Sequence, residues 1–170
     1  RKAQDVQDAE IQLALLQKDG EAKRKAGRYK EAIQAFDEAL KIQPQSVKSL
    51  SGRAAARRAL GRHEGAVADY DAALFLDAGS STLLSGRGVV KSELGWYFES
   101  ASDFEAALRR DPRDSLAAWG KAMLQMQQSY APARMITLTG FKNISSMNSQ
   151  FLERRQREFC VGGYETYWSL

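Results

Sequence analysis

Cysteine, histidine and proline are almost missing from this sequence. The 170-residue chain has one cysteine, Cys160, so it forms neither an intrachain disulfide nor a multi-cysteine metal site. Its one histidine, His63, excludes metal motifs built on histidine pairs. Three prolines leave long stretches free of helix breakers, in a composition rich in helix-forming Ala, Leu, Lys, Arg, Glu and Gln. Every apolar run is too short and too interrupted to span a bilayer. Basic residues exceed acidic ones by 25 − 21 = 4, too little to imply a nucleic-acid partner by itself. With 44% apolar and 27% charged residues, the chain is neither collagen-like nor a disordered tail. It can build one sizeable core or a short repeat array. The first residue is Arg1 and not Met, which reads as a fragment, so missing targeting signals carry no weight.

What is present is a repeat. Gly27, Gly61 and Gly95 are spaced by 34 residues. The same interval separates Phe36, Tyr70 and Phe104; Ala39, Ala73 and Ala107; and Leu40, Leu74 and Leu108. Further columns are Ala32, Ala66 and Ser100; Leu16, Leu50 and Leu84; and Gly20, Ala54 and Gly88.

Each unit reads as two helices. In residues 27–44, Ala32, Phe36, Ala39 and Leu40 recur at three- and four-residue steps, which is one helical face. Gly27 suits a left-handed cap after the preceding helix, and Pro44 follows the last turn of the next. Unit two has Ala78-Gly79 in place of that proline, and unit three restores it as Asp111-Pro112. Small residues let helix axes approach closely, and the aromatic column plugs the gap between hairpins. A single hairpin cannot bury its apolar face, so neighbours must stack.

Two stretches flank the repeats. Residues 3–16 have no breaker and extend the first helix. Residues 115–128 read as a helix in the same register, with Gly120 continuing the Gly52 and Gly86 column and Lys121 continuing Arg53 and Arg87. The register fails at Tyr130-Ala131-Pro132. The expected organisation is an N-terminal extension over 1–12, repeats over 13–46, 47–80 and 81–114, a capping helix over 115–129, and a C-terminal extension over 130–170 with a helix at 148–161. That tail carries Phe141, Phe151, Phe159, Tyr164, Tyr167 and Trp168. An ordered tail of this kind needs a docking surface to offset its lost conformational entropy.

The period with its glycine, aromatic and alanine columns resembles the tetratricopeptide repeat family, over about residues 13–114. There are departures: Leu16, Leu50 and Leu84 stand where an aromatic is common, and Arg110 replaces the apolar residue of Ile42 and Leu76. The resemblance implies an all-α helical-hairpin repeat solenoid, with capping helix and C-terminal extension. It also implies a concave groove lined by the first helix of each pair. Its exposed columns would hold Gln17, Lys18, Glu21, Arg24 and Lys25, then Lys48, Ser51, Gly52, Ala55 and Arg58. They would continue with Thr82, Ser85, Gly86, Val89 and Ser92, and the cap would add Trp119, Met123 and Met126. Such a groove is basic at one end, small-residue in the middle, and apolar and sulfur-rich at the other. That suits a helix or extended segment with bulky side chains. In one branch of the family a lysine, asparagine, asparagine, lysine and arginine set clamps the C-terminal carboxylates of heat-shock chaperones. The corresponding positions here are Gln17, Glu21, Gly52, Thr82 and Gly86. None matches, and Glu21 would repel a carboxylate.

The repeats also suggest internal ion pairs. Arg53 and Asp69, like Arg87 and Asp103, occur together, whereas unit one has Asp19 and Ala35 in those columns. Each pair is expected to join the two helices of its unit, against the alternative of solvated charges. A search for chemistry finds no convincing active site. His63 shares a column with Tyr29 and Tyr97 and reads as a packed helix-start side chain. Cys160, near Arg154, Arg155 and Arg157, reads as an inert thiol. Gly86-Arg87-Gly88 lacks the strand of a phosphate loop. The expectation is a non-enzymatic cytoplasmic adaptor without metal or cofactor. It would hold a protein segment in its groove, and the chain's own tail could fill that groove or mediate self-association. The alternative is an RNA-binding repeat module, weakened because Trp119 is the only aromatic platform foreseen on the groove.

Overall fold

A computed structural model describes residues 2–129 of the chain. The helix foreseen at 148–161, the aromatic tail and Cys160 lie outside the described residues. Among the described residues seven helices follow one another: α1 (Lys2–Lys25), α2 (Tyr29–Ile42), α3 (Val47–Ala59), α4 (His63–Leu76), α5 (Ser81–Glu93), α6 (Tyr97–Arg110) and α7 (Ser115–Ser129). There is no strand among the described residues. The chain divides into two compact units, Arg1–Lys121 and Ala122–Leu170. The architecture below is that of the first unit. In the second, the described residues are the end of α7.

Helices pack as hairpins α1–α2, α3–α4 and α5–α6, and the hairpins stack through α2–α3 and α4–α5. The turn inside each hairpin is set by one glycine. Gly27, Gly61 and Gly95 have φ of 76°, 71° and 78°, where a Cβ would be strained. Around each, two backbone bonds close the helix end. In the first hairpin, Gly27 N–H donates to Arg24 C=O at 3.1 Å and Arg28 N–H to Lys23 C=O at 2.9 Å. This is the Schellman geometry that satisfies the last carbonyls, and it recurs after α3 and α5. The turns between hairpins rely on side chains. Ser46 Oγ accepts from Ser49 N–H at the start of α3. Asp77, in the turn without proline, accepts from Gly79 N–H at 3.2 Å.

The glycine and aromatic columns turn out to be one device. A Cβ on Gly52 would lie 2.4 Å from the Phe36 ring, and one on Gly20 would lie 3.0 Å from the same ring. Phe36 thus sits in a slot between its own first helix and the next hairpin's first helix. Phe104 repeats this between Gly88 and Gly120, where a Cβ would stand 2.8 Å and 2.3 Å from the ring. A Cβ on Gly86 would stand 2.8 Å from the Tyr70 ring, and buried Ala54 occupies the column of Gly20 and Gly88. Phe36 and Phe104 are 1% exposed, and each contributes the several kcal/mol typical of a buried phenylalanine. Ser100 sits in the column of Ala32 and Ala66 without leaving an orphan, because its hydroxyl donates to Gly88 C=O at 2.7 Å.

The foreseen ion pairs are present, and they reach further than the sequence suggested. Arg53 donates to both oxygens of Asp69, at 3.0 and 2.6 Å, and its remaining nitrogen reaches Asp37 of the previous hairpin at 2.6 Å. Arg87 does the same with Asp103, at 2.8 and 2.6 Å, and with Asp71 at 2.6 Å. Arg57 and Lys91 add a second cation to Asp69 and Asp103, at 2.8 and 2.9 Å. Lys121 meets Glu105 at 3.1 Å in the same pattern. Asp37, Asp71 and Glu105 are themselves a 34-residue column. One guanidinium therefore ties two helices of its own hairpin and the hairpin before it.

Candidate functional site

Among the described residues α1 touches α3 and α3 touches α5, whereas no such approach joins α2 with α4 or α4 with α6. The first unit is drawn in on the side of its first helices, and that side is the candidate surface. Lys25, in the last turn of α1, and Lys48, in the first turn of α3, are exposed on it. Ser51, Ala55 and Arg58 follow along α3, each half-buried. Trp119 is 59% exposed on α7. Met123, in the second unit, is also exposed.

Other expected residues are placed differently. Gly52 and Gly86 are buried under Phe36 and Tyr70, so they are not groove floor. Their column must be bare because the ring needs the space. Lys18, the α1 member of that column, is exposed on the outer edge of the first hairpin and does not belong with Lys25 and Lys48. Ser85 is 1% exposed, its hydroxyl donating to Thr82 C=O at 3.2 Å, and Val89 is buried. Both support the surface from beneath and offer it little area. Gln17 is buried as well; its amide donates to Ser46 Oγ at 2.9 Å and Ser49 Oγ at 3.1 Å. Thr82 remains exposed.

The basic end carries one internal ion pair. Arg24 Nε donates to Glu21 at 3.0 Å. That hydrogen bond holds the Glu21 carboxyl below the usual range, opposed by partial burial and aided by the charges of Arg24, Lys25 and Lys48. Toward the third hairpin, Glu93 lies 3.5 Å from Arg58 Nε and 3.3 Å from His63 Nδ1. Tyr70 lies beneath; burial pushes its hydroxyl up, while Arg58 and Arg24 pull it down. The Arg58–Glu93–His63 grouping was not visible to sequence reasoning, because it joins three helices and follows no column. His63 is half-buried at the first residue of α4, with a carboxylate for its neighbour. No group of three or more His, Cys, Asp or Glu able to hold a metal occurs among the described residues. Nor does any described helix have the length and apolarity to cross a membrane.

These columns recur in known proteins. The family of the tetratricopeptide repeat matches residues 18–81. The tetratricopeptide-repeat domain of Arabidopsis OM64 is 26% identical with a TM-score of 0.64, over 67% of this chain and 94% of that one. The Sgt2 domain from Aspergillus fumigatus is 25% identical with a TM-score of 0.67, over 71% of this chain and 81% of that one. The second domain of Spaghetti (RPAP3), bound to the HSP90 peptide SRMEEVD, is 25% identical with a TM-score of 0.59, over 63% of this chain and 99% of that one. No curated protein matches the chain by sequence. The family pattern covers residues 18–81, the hairpins on either side are built alike, and the fold is that of a tetratricopeptide-repeat solenoid.

Proposed function

We propose that this domain is a non-enzymatic adaptor, acting in the cytoplasm, that holds a helical or extended segment of a partner protein along its first-helix face. The observation that carries this reading is the row of accessible residues on adjacent first helices: Lys25, Lys48, Ser51, Ala55 and Arg58. Small side chains between cations let a backbone come close while charges fix its direction. The similar domain of Spaghetti holds a peptide, which supports a polypeptide ligand. An acidic chaperone tail suits this surface poorly. Gln17 spends its amide on Ser46 and Ser49, and Glu21 adds a carboxylate.

The test is partner capture by the full chain, followed by titration of the captured segment. Ala55→Arg fills the middle of the surface and is expected to weaken binding at least tenfold without changing the fold, a loss of about 1.4 kcal/mol. Gln34→Arg, at an exposed position of α2, is expected to leave it unchanged. Equal effects of the two would refute the surface. SRMEEVD is expected to show no saturable binding; tight binding would restore the chaperone-tail reading. RNA binding with a steep salt dependence would replace the protein ligand altogether. Truncation after Gln128 asks whether residues 130–170 occupy the surface: gained binding would indicate self-occupancy, and lost folding a structural tail.

A further inference from the structure

The outer face of α1 departs from the pattern of the other first helices. Where α3 and α5 meet the preceding hairpin, they bury Ser49 and Leu83, Gly52 and Gly86, and Ala56 and Val90. In α1 the same columns hold Leu15, Lys18 and Ala22, all exposed. Leu15 is 61% exposed where Leu83 is 4%, and Ile11, one turn earlier, is 57% exposed. Even a Cβ in the Lys18 column comes within 2.4 Å of a ring at Gly52, so a hairpin of this array's own kind cannot seat its aromatic there. Asp19 also stands where Arg53 and Arg87 reach back to the previous hairpin. The face fits a different occupant.

Its residues form a heptad seam. Gln4, Asp8, Ile11, Leu15, Lys18 and Ala22 follow at alternating steps of four and three, all exposed. At 3.6 residues per turn they share a sector of about 80°. The seam matches itself when reversed. Laid antiparallel on a copy, Ile11 meets Leu15, Asp8 meets Lys18, and Gln4 meets Ala22. Of the flanking pairs, Gln12 meets Ala14 and Gln7 meets Asp19, while Asp5 falls opposite Glu21 at the ends of the seam, outside the central contact of Asp8, Ile11, Leu15 and Lys18. A parallel copy would set Asp8 on Asp8 and Lys18 on Lys18, which disfavours it. Such a seam is short for isolated helices. Here α1 packs on α2 from about Leu13 onward, which lowers the usual ordering cost for Leu15 and Lys18.

We propose that the chain forms a two-fold dimer in which α1 packs antiparallel on α1 of a second copy, through Asp8, Ile11, Leu15 and Lys18. This contact uses no residue of the partner-binding surface proposed above. The experiment is sedimentation equilibrium of the full chain up to near-millimolar concentration. A monomer–dimer equilibrium is expected. Leu15→Glu should raise its Kd about thirtyfold or more, the effect of losing a central apolar anchor. Because Leu15 is exposed in the single chain, the variant's helicity and melting temperature should match those of the wild-type monomer. Asp8→Lys and Lys18→Glu should each weaken the dimer, and the two together should restore it. A wild-type chain that stays monomeric, a dimer untouched by Leu15→Glu, or a double swap without rescue would overturn the proposal.

Discussion

The two joints between hairpins, α2 to α3 and α4 to α5, follow one plan in different materials. At the first, Phe36 lies between Gly20 and Gly52, and the buried contact beside it is polar: the Gln17 amide bonds two serine hydroxyls. At the second, Tyr70 lies against Gly86, and the residues α5 buries in the columns of Ser49 and Ala56 are Leu83 and Val90. The first joint adds satisfied hydrogen bonds to its apolar cluster of Ala32, Ile33, Phe36 and Ala56, where the second places leucine and valine. Both keep the ring on glycine and the arginine that reaches back, Arg53 in one and Arg87 in the other. The stack therefore depends on those two devices and tolerates either chemistry around them.

The largest effect should come from the ring. Phe36→Ala is expected to cost about 3–5 kcal/mol in denaturant unfolding. An unchanged midpoint would mean the hairpins do not depend on stacking. Next come the aspartates. Asp69→Ala leaves Arg53 with Asp37 and Arg57 with the Gly65 carbonyl, and Asp103→Ala leaves Arg87 with Asp71 and takes a carboxylate from Lys91; each should cost about 2–3 kcal/mol. A double-mutant cycle on Arg87 and Asp103 with no coupling energy would show those contacts to be incidental. Gly52→Ala and Gly86→Ala should cost about 1–3 kcal/mol by overpacking. Gly52 should suffer more, since its Cβ would stand 2.4 Å from the ring against 2.8 Å at Gly86. Gln17→Ala separates the joints most directly. It should cost about 1–2 kcal/mol, because the serine hydroxyls lose their amide but keep each other at 3.0 Å.

The smallest effect is one of pH. Arg24 holds the Glu21 carboxyl below its ordinary range, so in acid the folded chain binds fewer protons there than the unfolded chain. The pair's contribution is full above the ordinary glutamate range and fades as pH falls through the folded value. Glu21 and Arg24 are each about a third exposed, so this contribution should stay under about 0.5 kcal/mol. Comparing stability against pH for wild type and Arg24→Gln should show the wild-type curve falling more steeply in acid.

The array itself was legible because every hairpin solves the same packing problem. A glycine beneath a ring leaves a mark at fixed spacing, and so does an arginine that co-occurs with its aspartate. The partner carboxylates Asp37, Asp71 and Glu105 carry the same spacing, yet exposed acids on a helix look alike whether or not an arginine from the next hairpin reaches them. The candidate surface was less legible. Gly52 and Gly86 look like open floor to a reader of columns, and only the neighbouring ring shows them to be filled. Lys18 shows the converse: its column is internal in the later hairpins and exposed at the edge. Arg58, Glu93 and His63 meet through tertiary geometry, which no column records.

The ring and its two glycines have one more consequence, for how such chains can be recombined. Phe36 needs Gly20 from its own hairpin and Gly52 from its successor, so neither hairpin alone holds the whole fitting. A graft that imports a hairpin with a bulky residue in the Gly52 column brings a collision with it, however well the donor folds at home. Shuffling whole 34-residue blocks within this array keeps the ring-on-glycine and reaching-arginine interlocks, apart from a leading block that would carry Lys18 inward, and the Gln17 amide keeps both serines only beside the second block. Length can thus change by duplication of the inner blocks, while the edge hairpin must stay at the edge.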